Sequence, residues 1–205
     1  MRYDVRIVSD RAEIAAAPKL AVSDYRWLRG YEPEVTAAVV YVEGEGFLIR
    51  MECAEREPKA VYTQPDDPVC RDSCMECFIN FAPEKSKNYV NLEANALGTL
   101  HCKFGPGRGG RKPLKDMGIP MPELTARRTE ERWSLEFFFP LGSIRALYGK
   151  NGFSAGDRLL ANFYKCGDET AEPHFGMWSG VDTPEPDFHR SEFFGELIIR
   201  ERKEI

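Results

Sequence analysis

The most constraining feature of this sequence is a series of short segments in which apolar and polar residues alternate, separated by Gly, Pro, Asn and Asp. A period of two is typical of half-buried β-strands. The segment TAAVVYVEGEGFLIRMECAE predicts two strands joined by a tight turn at residues 43–46. Further strands are predicted in CMECFINF, YVNLEANALG, TARRTEERWSLEFFFPL (two strands, or one broken near Glu130), RLLANFYKCGD and FGELIIRERKE.

Helical spacing is confined to one short stretch, LGSIRALYG at residues 141–149. Parallel strands need crossover connections of a dozen or more residues, usually helical, so this pattern predicts antiparallel pairing. We expect an all-β fold, an antiparallel β-sandwich with jelly-roll or immunoglobulin-like layers, one short helix and two long loops at 105–123 and 179–190. A chain of 205 residues suits a single domain over residues 1–205.

The net charge and the hydropathy of the chain limit the classes of partner that we expect it to bind. The formal net charge of -5 argues against nucleic acid, which needs a concentrated basic face. No stretch approaches the roughly 20 apolar residues of a membrane span, so we expect no membrane partner. The first twenty residues lack the features of a secretory signal, so we expect a cytoplasmic protein, or a secreted one if a leader once preceded it. The sequence leaves the oligomeric state open.

Three of the six cysteines lie in CRDSCMEC, residues 70–77, at a spacing used by some iron–sulfur proteins. Within a strand, however, Cys74 and Cys77 point to opposite faces and cannot grip one cluster. We therefore expect buried thiols here, and no disulfides in a chain with a full core. Cys166, His174 and His189 match no structural zinc spacing, and we expect the imidazoles to bond a loop to the sheet.

Two predicted neighbouring strands carry polar side chains on one face. If they pair, Glu76 and Asn80 lie beside Asn91, Glu93 and Asn95. This face is either a solvated surface or a sugar site. Amides and carboxylates bond hydroxyl groups in fixed positions, and an aromatic ring accepts the apolar face of a pyranose. The segment NFYKCGDETAEPHFGMWSG extends this face, with Tyr164 on a strand and Trp178 in a loop.

Three segments together resemble the carbohydrate-binding module family 9-like domain, a β-sandwich of the DOMON-like group: PVCRDSCMECFINF, YVNLEANALGT and NFYKCGDETAEPHFGMWSGVDTPEPDFHRSEFFGEL. The resemblance runs from about residue 24 to the C-terminus. It implies a non-catalytic module that binds oligosaccharide or polysaccharide chain ends, accompanies glycoside hydrolases in polysaccharide catabolism and has structural calcium ions nearby. By position, it implies that Glu76 and Asn95 bond hydroxyls and that Trp178 stacks on the ring. Cys70 stands where the family has a second stacking Trp, and Glu93 where it has an Arg.

The predicted carbohydrate-binding residues are Glu76, Asn91, Glu93, Asn95, Tyr164 and Trp178, and no catalytic residue is predicted. Two alternative functions stay open. Glu76 and Glu93 could form the carboxylate pair of a glycoside hydrolase. The second is a heme or redox-binding sandwich, since DOMON-like relatives include heme binders. Ca²⁺ is a candidate cofactor, with oxygen ligands from QPDD (64–67) and GDE (167–169), which otherwise are solvated turns.

Overall fold

The computed structural model describes residues 1–28 and 30–202 of the 205-residue chain. Within these residues the protein is a curled 14-stranded sheet. The strands are β1 (Arg2–Val8), β2 (Leu20–Val22), β3 (Asp24–Tyr25), β4 (Val35–Val42), β5 (Gly46–Cys53), β6 (Cys74–Asn80), β7 (Tyr89–Asn95), β8 (Leu100–Gly105), β9 (Lys112–Pro113), β10 (Glu123–Arg128), β11 (Trp133–Pro140), β12 (Arg158–Cys166), β13 (Phe175–Met177) and β14 (Gly195–Arg200).

Helical structure in the described part of the chain is confined to short pieces. The α-helix α1 (Leu141–Tyr148) ends at Gly149, which adopts the left-handed conformation at φ 65°. The 3-10 turns span Arg11–Ala16, Val69–Arg71, Leu114–Met117 and Ser191–Phe193. No helix among the described residues is long and apolar enough to cross a bilayer. The prediction of one short helix at 141–149 is confirmed.

The strands follow the order β10-β11-β5-β4-β1-β14-β12-β6-β7-β8-β9, with β2 beside β4 and β13 between β12 and β3. The sheet folds back so that its two halves enclose one main core. Phe81, after β6, stacks on Phe139 of β11 at 5.0 Å between ring centroids, although their strands lie in opposite halves. The β-sandwich prediction is therefore confirmed.

The prediction of purely antiparallel pairing is wrong at the centre of the sheet. Strand β1 pairs in parallel with both β4 and β14. Residues 9–34 connect β1 to β4, which is long enough for the crossover that parallel neighbours require. Alternation within single strands carries no information about this pairing, because β1 joins strands far from it in the chain.

Alternation along β6 and β7 separates two apolar clusters. Met75, Cys77 and Ile79 point into the main core, whereas Cys74 and Phe78 lie in a second cluster on the outer face. Cys74 and Cys77 therefore face opposite ways, as predicted, and the run 70–77 does not converge on one metal cluster. All six cysteines are free thiols, and Cys70 is the one that is not fully buried.

The two predicted long loops cover this outer face. Phe188, in the 179–190 segment, stacks on Tyr164 of β12 at 4.1 Å between centroids. Arg108, in the 105–123 segment, bonds Asp187 at 2.9 Å and so links the two loops. The 105–123 segment is also more ordered than predicted, since it contains β9 and a 3-10 turn. The outer face of β12, β6 and β7 is thus a second interior rather than a solvated surface.

Candidate functional site

Backbone register brings two carboxyl groups together on the outer face. Strands β6 and β7 pair antiparallel with Glu76 directly opposite Glu93, and β12 pairs with β6 so that Tyr164 lies opposite Glu76. Cross-strand neighbours have Cβ atoms about 4.5–5.5 Å apart. Pairing of these two strands is the condition for a shared polar face, and the structure meets that condition.

Both carboxyl groups are almost completely buried. The exposed fraction is 3% for Glu76 and 7% for Glu93. Glu93 accepts a hydrogen bond from the Asn91 amide at 2.7 Å and lies 3.7 Å from the Arg111 guanidinium. Glu76 accepts a hydrogen bond from the Cys166 thiol at 3.0 Å. Burial, and then the charge of Glu93, raises the pKa of Glu76 well above that of a free glutamate. Glu76 therefore keeps its proton to higher pH, and one carboxyl of the pair can donate while the other accepts.

A cavity of about 160 Å³ opens beside this pair. Its lining combines carboxyl groups, thiols, an imidazole, a guanidinium and two phenyl rings. The lining residues are Cys70, Glu76, Glu93, Arg108, Cys166, Asp168, Phe175, Pro186, Asp187, Phe188 and His189. Burial also raises the pKa of Asp168. A small cavity with convergent polar groups and a shifted pKa is the usual form of a ligand site.

The aromatic side of the cavity is formed by Phe175 and Phe188. Trp27 supports both rings from behind, at 5.9 Å between centroids in each case. The Trp27 indole donates a hydrogen bond to the Thr183 carbonyl oxygen at 2.7 Å, which fixes the ring against the covering loop. Trp27 itself is half-buried and lies behind this wall of the cavity.

Trp178 does not reach this cavity, which corrects its predicted role as the stacking platform. Its exposed fraction is 5%, and its ring packs edge-on against Phe163 in the main core. The preceding residue, Met177, lies opposite Tyr164 and belongs to the outer cluster. Consecutive residues of an extended chain point to opposite faces, so Trp178 turns inward.

Asn95 has a structural role, which corrects its predicted contact with sugar. Its amide group donates to the Tyr62 carbonyl oxygen at 2.8 Å and to Asp72 at 2.9 Å. Its side-chain oxygen accepts from the backbone N–H groups of Leu97 and Thr99. The side chain is fully buried and closes the turn after β7.

Tyr164 and Asn91 also lie behind the cavity wall rather than on it. The Tyr164 hydroxyl donates to the Phe188 carbonyl oxygen at 3.0 Å, and the residue is fully buried beneath the Phe188 ring. Asn91 is fully buried and contacts the cavity only through Glu93. Of the six predicted residues, Glu76 and Glu93 line the cavity, Asn91 and Tyr164 contact residues that do, and Asn95 and Trp178 lie outside its lining.

Most other lining residues were not among the predicted carbohydrate-binding residues because they come from loops. Asp168, Phe175, Asp187, Phe188 and His189 lie in or beside segments without periodicity. The available signal was the length of the 179–190 segment combined with its aromatic and acidic residues, PEPDFH.

The two histidines after β12 are structural, as predicted. Lys165 is fully buried and donates to His174 Nε2 at 2.6 Å, and His174 Nδ1 donates to the Glu172 carbonyl oxygen. His189 Nδ1 pairs with the Tyr89 hydroxyl at 2.9 Å. Burial lowers the pKa of His174 to about 4 and that of His189 to about 3. These histidines bond different partners and do not form a zinc site with Cys166.

The acidic stretches proposed for Ca²⁺ do not fit such a site. Asp66 forms an ion pair with Lys115 at 2.6 Å, and Asp67 accepts hydrogen bonds from two backbone N–H groups of its own turn. Glu169 lies 3.3 Å from Arg71. Calcium requires six to eight converging oxygen atoms. Asp66, Asp67 and Glu169 are spread over two turns and each already has a partner, and Asp168 instead faces the cavity.

An open groove of about 550 Å³ lies elsewhere on the surface, beside Tyr31, Glu55 and Glu131. Its one buried carboxylate, Glu55, is already bonded to the Trp133 indole and to Ser73.

The 160 Å³ cavity is smaller than the roughly 300 Å³ of the smallest drug-sized pockets, so it does not fit a heme group.

Comparison with known proteins identifies a family and solved structures that this chain resembles. A family model described as carbohydrate-binding family 9 matches residues 6–199. A proposed carbohydrate-binding protein from Bacteroides uniformis ATCC 8492 is 24% identical and superposes with a TM-score of 0.81, covering 97% of this chain and 99% of its own.

A carbohydrate-binding module of family 9 from Caldicellulosiruptor kristjanssonii shares the fold in two solved structures. The complex with glucose is 9% identical with a TM-score of 0.72, covering 100% of this chain and 98% of its own. The complex with cellotriose is 8% identical with a TM-score of 0.70, covering 100% and 96%. No curated protein sequence matches the chain.

Proposed function

The chain belongs to carbohydrate-binding family 9 and is a non-catalytic carbohydrate-binding module, and we propose that its cavity beside Glu76 and Glu93 receives the terminal unit of a sugar chain. The observation that carries this proposal is the pair of buried, adjacent carboxyl groups facing two phenyl rings across one small cavity. Such an arrangement suits a ligand with hydroxyl groups on its edge and C–H groups on its face.

The size of the cavity favours one sugar unit. Liquid water occupies about 30 Å³ per molecule, so about 160 Å³ holds roughly five waters. A single pyranose ring displaces a cluster of that order, whereas a longer segment must extend outside. The fold relatives from Caldicellulosiruptor kristjanssonii contain glucose and cellotriose. We therefore propose glucose-type units at the end of an oligosaccharide as the ligand class.

The polar wall supplies hydrogen bonds of both directions. Glu93, held by Asn91 and Arg111, accepts from sugar hydroxyls. Glu76, with its raised pKa, donates while it remains protonated. Charge-assisted hydrogen bonds are about twice as strong as neutral ones, and a site built to bond hydroxyls discriminates strongly against analogues that lack them.

Phe188 replaces the tryptophan ring on which the sugar would stack in the family. The resemblance to the family implies two stacking tryptophans, one of which is Cys70 here, and the structure buries the other, Trp178. The Phe188 ring has Tyr164 on one side and the cavity on the other. We propose that a sugar stacks on Phe188, with Phe175 at its edge.

Calorimetric titration with glucose, cellobiose, cellotriose and xylo-oligosaccharides tests the proposal. The expected result is saturable binding that Glu93→Gln weakens by roughly 10–100-fold, because a hydrogen bond to a charged group is worth about 1.5–3 kcal/mol. Phe188→Leu, which keeps the apolar packing on Tyr164, should also weaken binding. Glu130→Gln, at an exposed position outside the cavity, is the matched control and should bind as the parent does.

Trp27 provides an independent signal. Because its indole supports Phe175 and Phe188, sugar binding should change its fluorescence, and Trp27→Phe should remove that change. If titration with every sugar produced no heat and left the tryptophan fluorescence unchanged, the proposal would be wrong. Turnover of chromogenic glycosides that disappears in Glu76→Gln would replace it with the glycoside hydrolase alternative.

We also propose that residues 1–205 form one domain and that the protein acts in polysaccharide catabolism in the cytoplasm. In this proposal it binds neither nucleic acid nor a membrane.

A further inference from the structure

Three potential metal ligands converge at one end of the outer face. The Sγ atoms of Cys74 and Cys166 and a carboxylate oxygen of Glu76 all lie within 4.8 Å of one another. The register of β6 and β12 fixes this grouping, since Cys74 and Cys166 are directly opposite and Glu76 is two residues along the same face. All three side chains are buried.

We propose that the thiol groups of Cys74 and Cys166 and the carboxyl group of Glu76 bind a zinc-type divalent cation. Zinc takes sulfur ligands at about 2.3 Å and carboxylate oxygens at about 2.0–2.2 Å in tetrahedral geometry, which separates neighbouring ligand atoms by about 3.5–4 Å. The observed spread of at most 4.8 Å needs only rotamer adjustments to reach this spacing. Thiolate ligands favour zinc over calcium or magnesium, which prefer oxygen.

The fourth ligand position faces the cavity. Glu76 and Cys166 line it, and so do Cys70 and Asp168. The Asp168 backbone N–H donates to the Cys70 carbonyl oxygen at 2.9 Å, which holds these two residues beside the cluster. A fourth ligand can thus come from water, from one of these side chains or from a ligand hydroxyl.

Local charge favours a cation here. The cavity lining contains four carboxyl groups, from Glu76, Glu93, Asp168 and Asp187, and one guanidinium, from Arg108, which already bonds Asp187. Within the described residues, Glu76 is paired with no basic side chain and its hydrogen-bond donor is a thiol. A bound cation would replace this weak donor, and the two thiol protons, together with the proton that Glu76 holds, would pass to solvent on binding.

A metal site explains the cysteine pair better than a disulfide. Directly opposed residues on paired strands have Cβ atoms about 4.5–5.5 Å apart, whereas a disulfide prefers a Cβ separation near 3.8 Å.

Cobalt titration of the reduced, chelator-treated full chain tests this inference directly. Co²⁺ occupies zinc sites and shows a sulfur-to-cobalt charge-transfer band in the near ultraviolet when thiolates bind it. The expected result is such a band, saturating at one equivalent and removed by Zn²⁺. Cys74→Ala and Cys166→Ala should each weaken binding by more than the roughly 10–100-fold that loss of an outer partner of a metal ligand costs.

Cys77→Ala is the matched control, because Cys77 lies on the same strand but points into the main core. It should keep the band. Circular dichroism and a melting curve verify that each variant is folded, and Zn²⁺ should raise the melting temperature of the parent but not of Cys166→Ala. Absence of the band in the parent, or its persistence in both cysteine variants, would overturn the inference, since carboxylate-only binding gives no such band.

The metal proposal and the sugar proposal can be tested independently of each other. Cys74→Ala should lose cobalt binding and keep sugar binding to Glu93 and Phe188, because Cys74 does not line the cavity. Loss of sugar binding with an intact cobalt band would count against the sugar proposal alone. The reverse result would count against the metal site alone.

Discussion

At the scale of single residues, burial decides what a polar side chain does. Glu76, Glu93 and Asn95 alternate on the same outer face of two paired strands. The loops leave the two carboxyl groups beside a cavity, whereas Asn95 is sealed under backbone that it bonds with all of its polar atoms. Polar side chains on one strand face therefore line a cavity at two positions and fix turn geometry at the third.

Trp178 gives a residue-scale prediction that separates stability from binding. Because its indole fills the main core, Trp178→Ala should lower the free energy of unfolding by about 3–5 kcal/mol, and Trp178→Phe by less. Sugar affinity measured well below the melting temperature should stay unchanged. Urea denaturation and calorimetry provide the two readouts. A selective loss of sugar affinity at unchanged stability would return Trp178 to the binding site.

At the scale of elements, tight turns and close backbone contacts define the sandwich. Strands β4 and β5 form the predicted hairpin, and β5 begins at Gly46, which has a φ of 152°. A Cβ atom at this position would lie 2.3 Å from the Phe139 carbonyl oxygen of β11. Only glycine allows the three strands β4, β5 and β11 to meet here.

Gly46→Ala should therefore be strongly destabilising. We expect a loss of at least about 2 kcal/mol in the free energy of unfolding, from backbone strain and from displacement of β11. Gly142→Ala is the control, because Gly142 lies in α1 with open space around its Cα, and alanine is favoured over glycine in a helix by roughly 0.5–1 kcal/mol. Equal effects in urea denaturation would contradict the assigned contact.

At the scale of the whole molecule, the curled sheet carries two interiors. The main core lies between the halves of the sheet, and a second, partly polar interior lies between the outer face and the loops. The second interior contains buried titratable groups, which couple the stability of the fold to pH.

His174, which is buried, and His189, which is half-buried, should make the protein acid-sensitive. Their pKa values fall to about 4 for His174 and about 3 for His189, so between pH 6.5 and 4 the unfolded chain binds protons that the folded chain does not. Stability is then lost as pH falls through this window, by about 2 kcal/mol per histidine at pH 5 relative to pH 7. Glu76 acts in the opposite sense, because its raised pKa adds stability at low pH that is lost as pH rises.

Urea denaturation at pH 7 and pH 5 measures this dependence. His189→Gln keeps a polar partner for Tyr89 and removes one titrating group, so its loss of stability between the two pH values should be about 2 kcal/mol smaller than that of the parent. His101→Gln is a comparison at a half-buried histidine elsewhere on the sheet. The same pH dependence in parent and His189→Gln would refute the assignment.

The sequence by itself determined the strands β4–β7, β10–β12 and β14 and the two faces of β6 and β7, but it gave no indication of β1, β2, β3, β8, β9 or β13. A period of two is a local property, and it correctly separated Cys74 and Glu76 from Cys77 and Ile79. The motifs also carried the family, which the match over residues 6–199 confirms.

Only the tertiary structure decided where β1 inserts, which face the loops cover and which aromatic rings reach the cavity. These features depend on contacts between residues far apart in the chain, such as Trp27 with Phe188 and Cys74 with Cys166. Alternation specifies that a side chain points inward or outward, but the identity of its neighbour is set by strand register and by loops without periodicity. For that reason the sequence indicated that Glu76 and Glu93 share one strand face, but it did not reveal that Trp178 points into the main core.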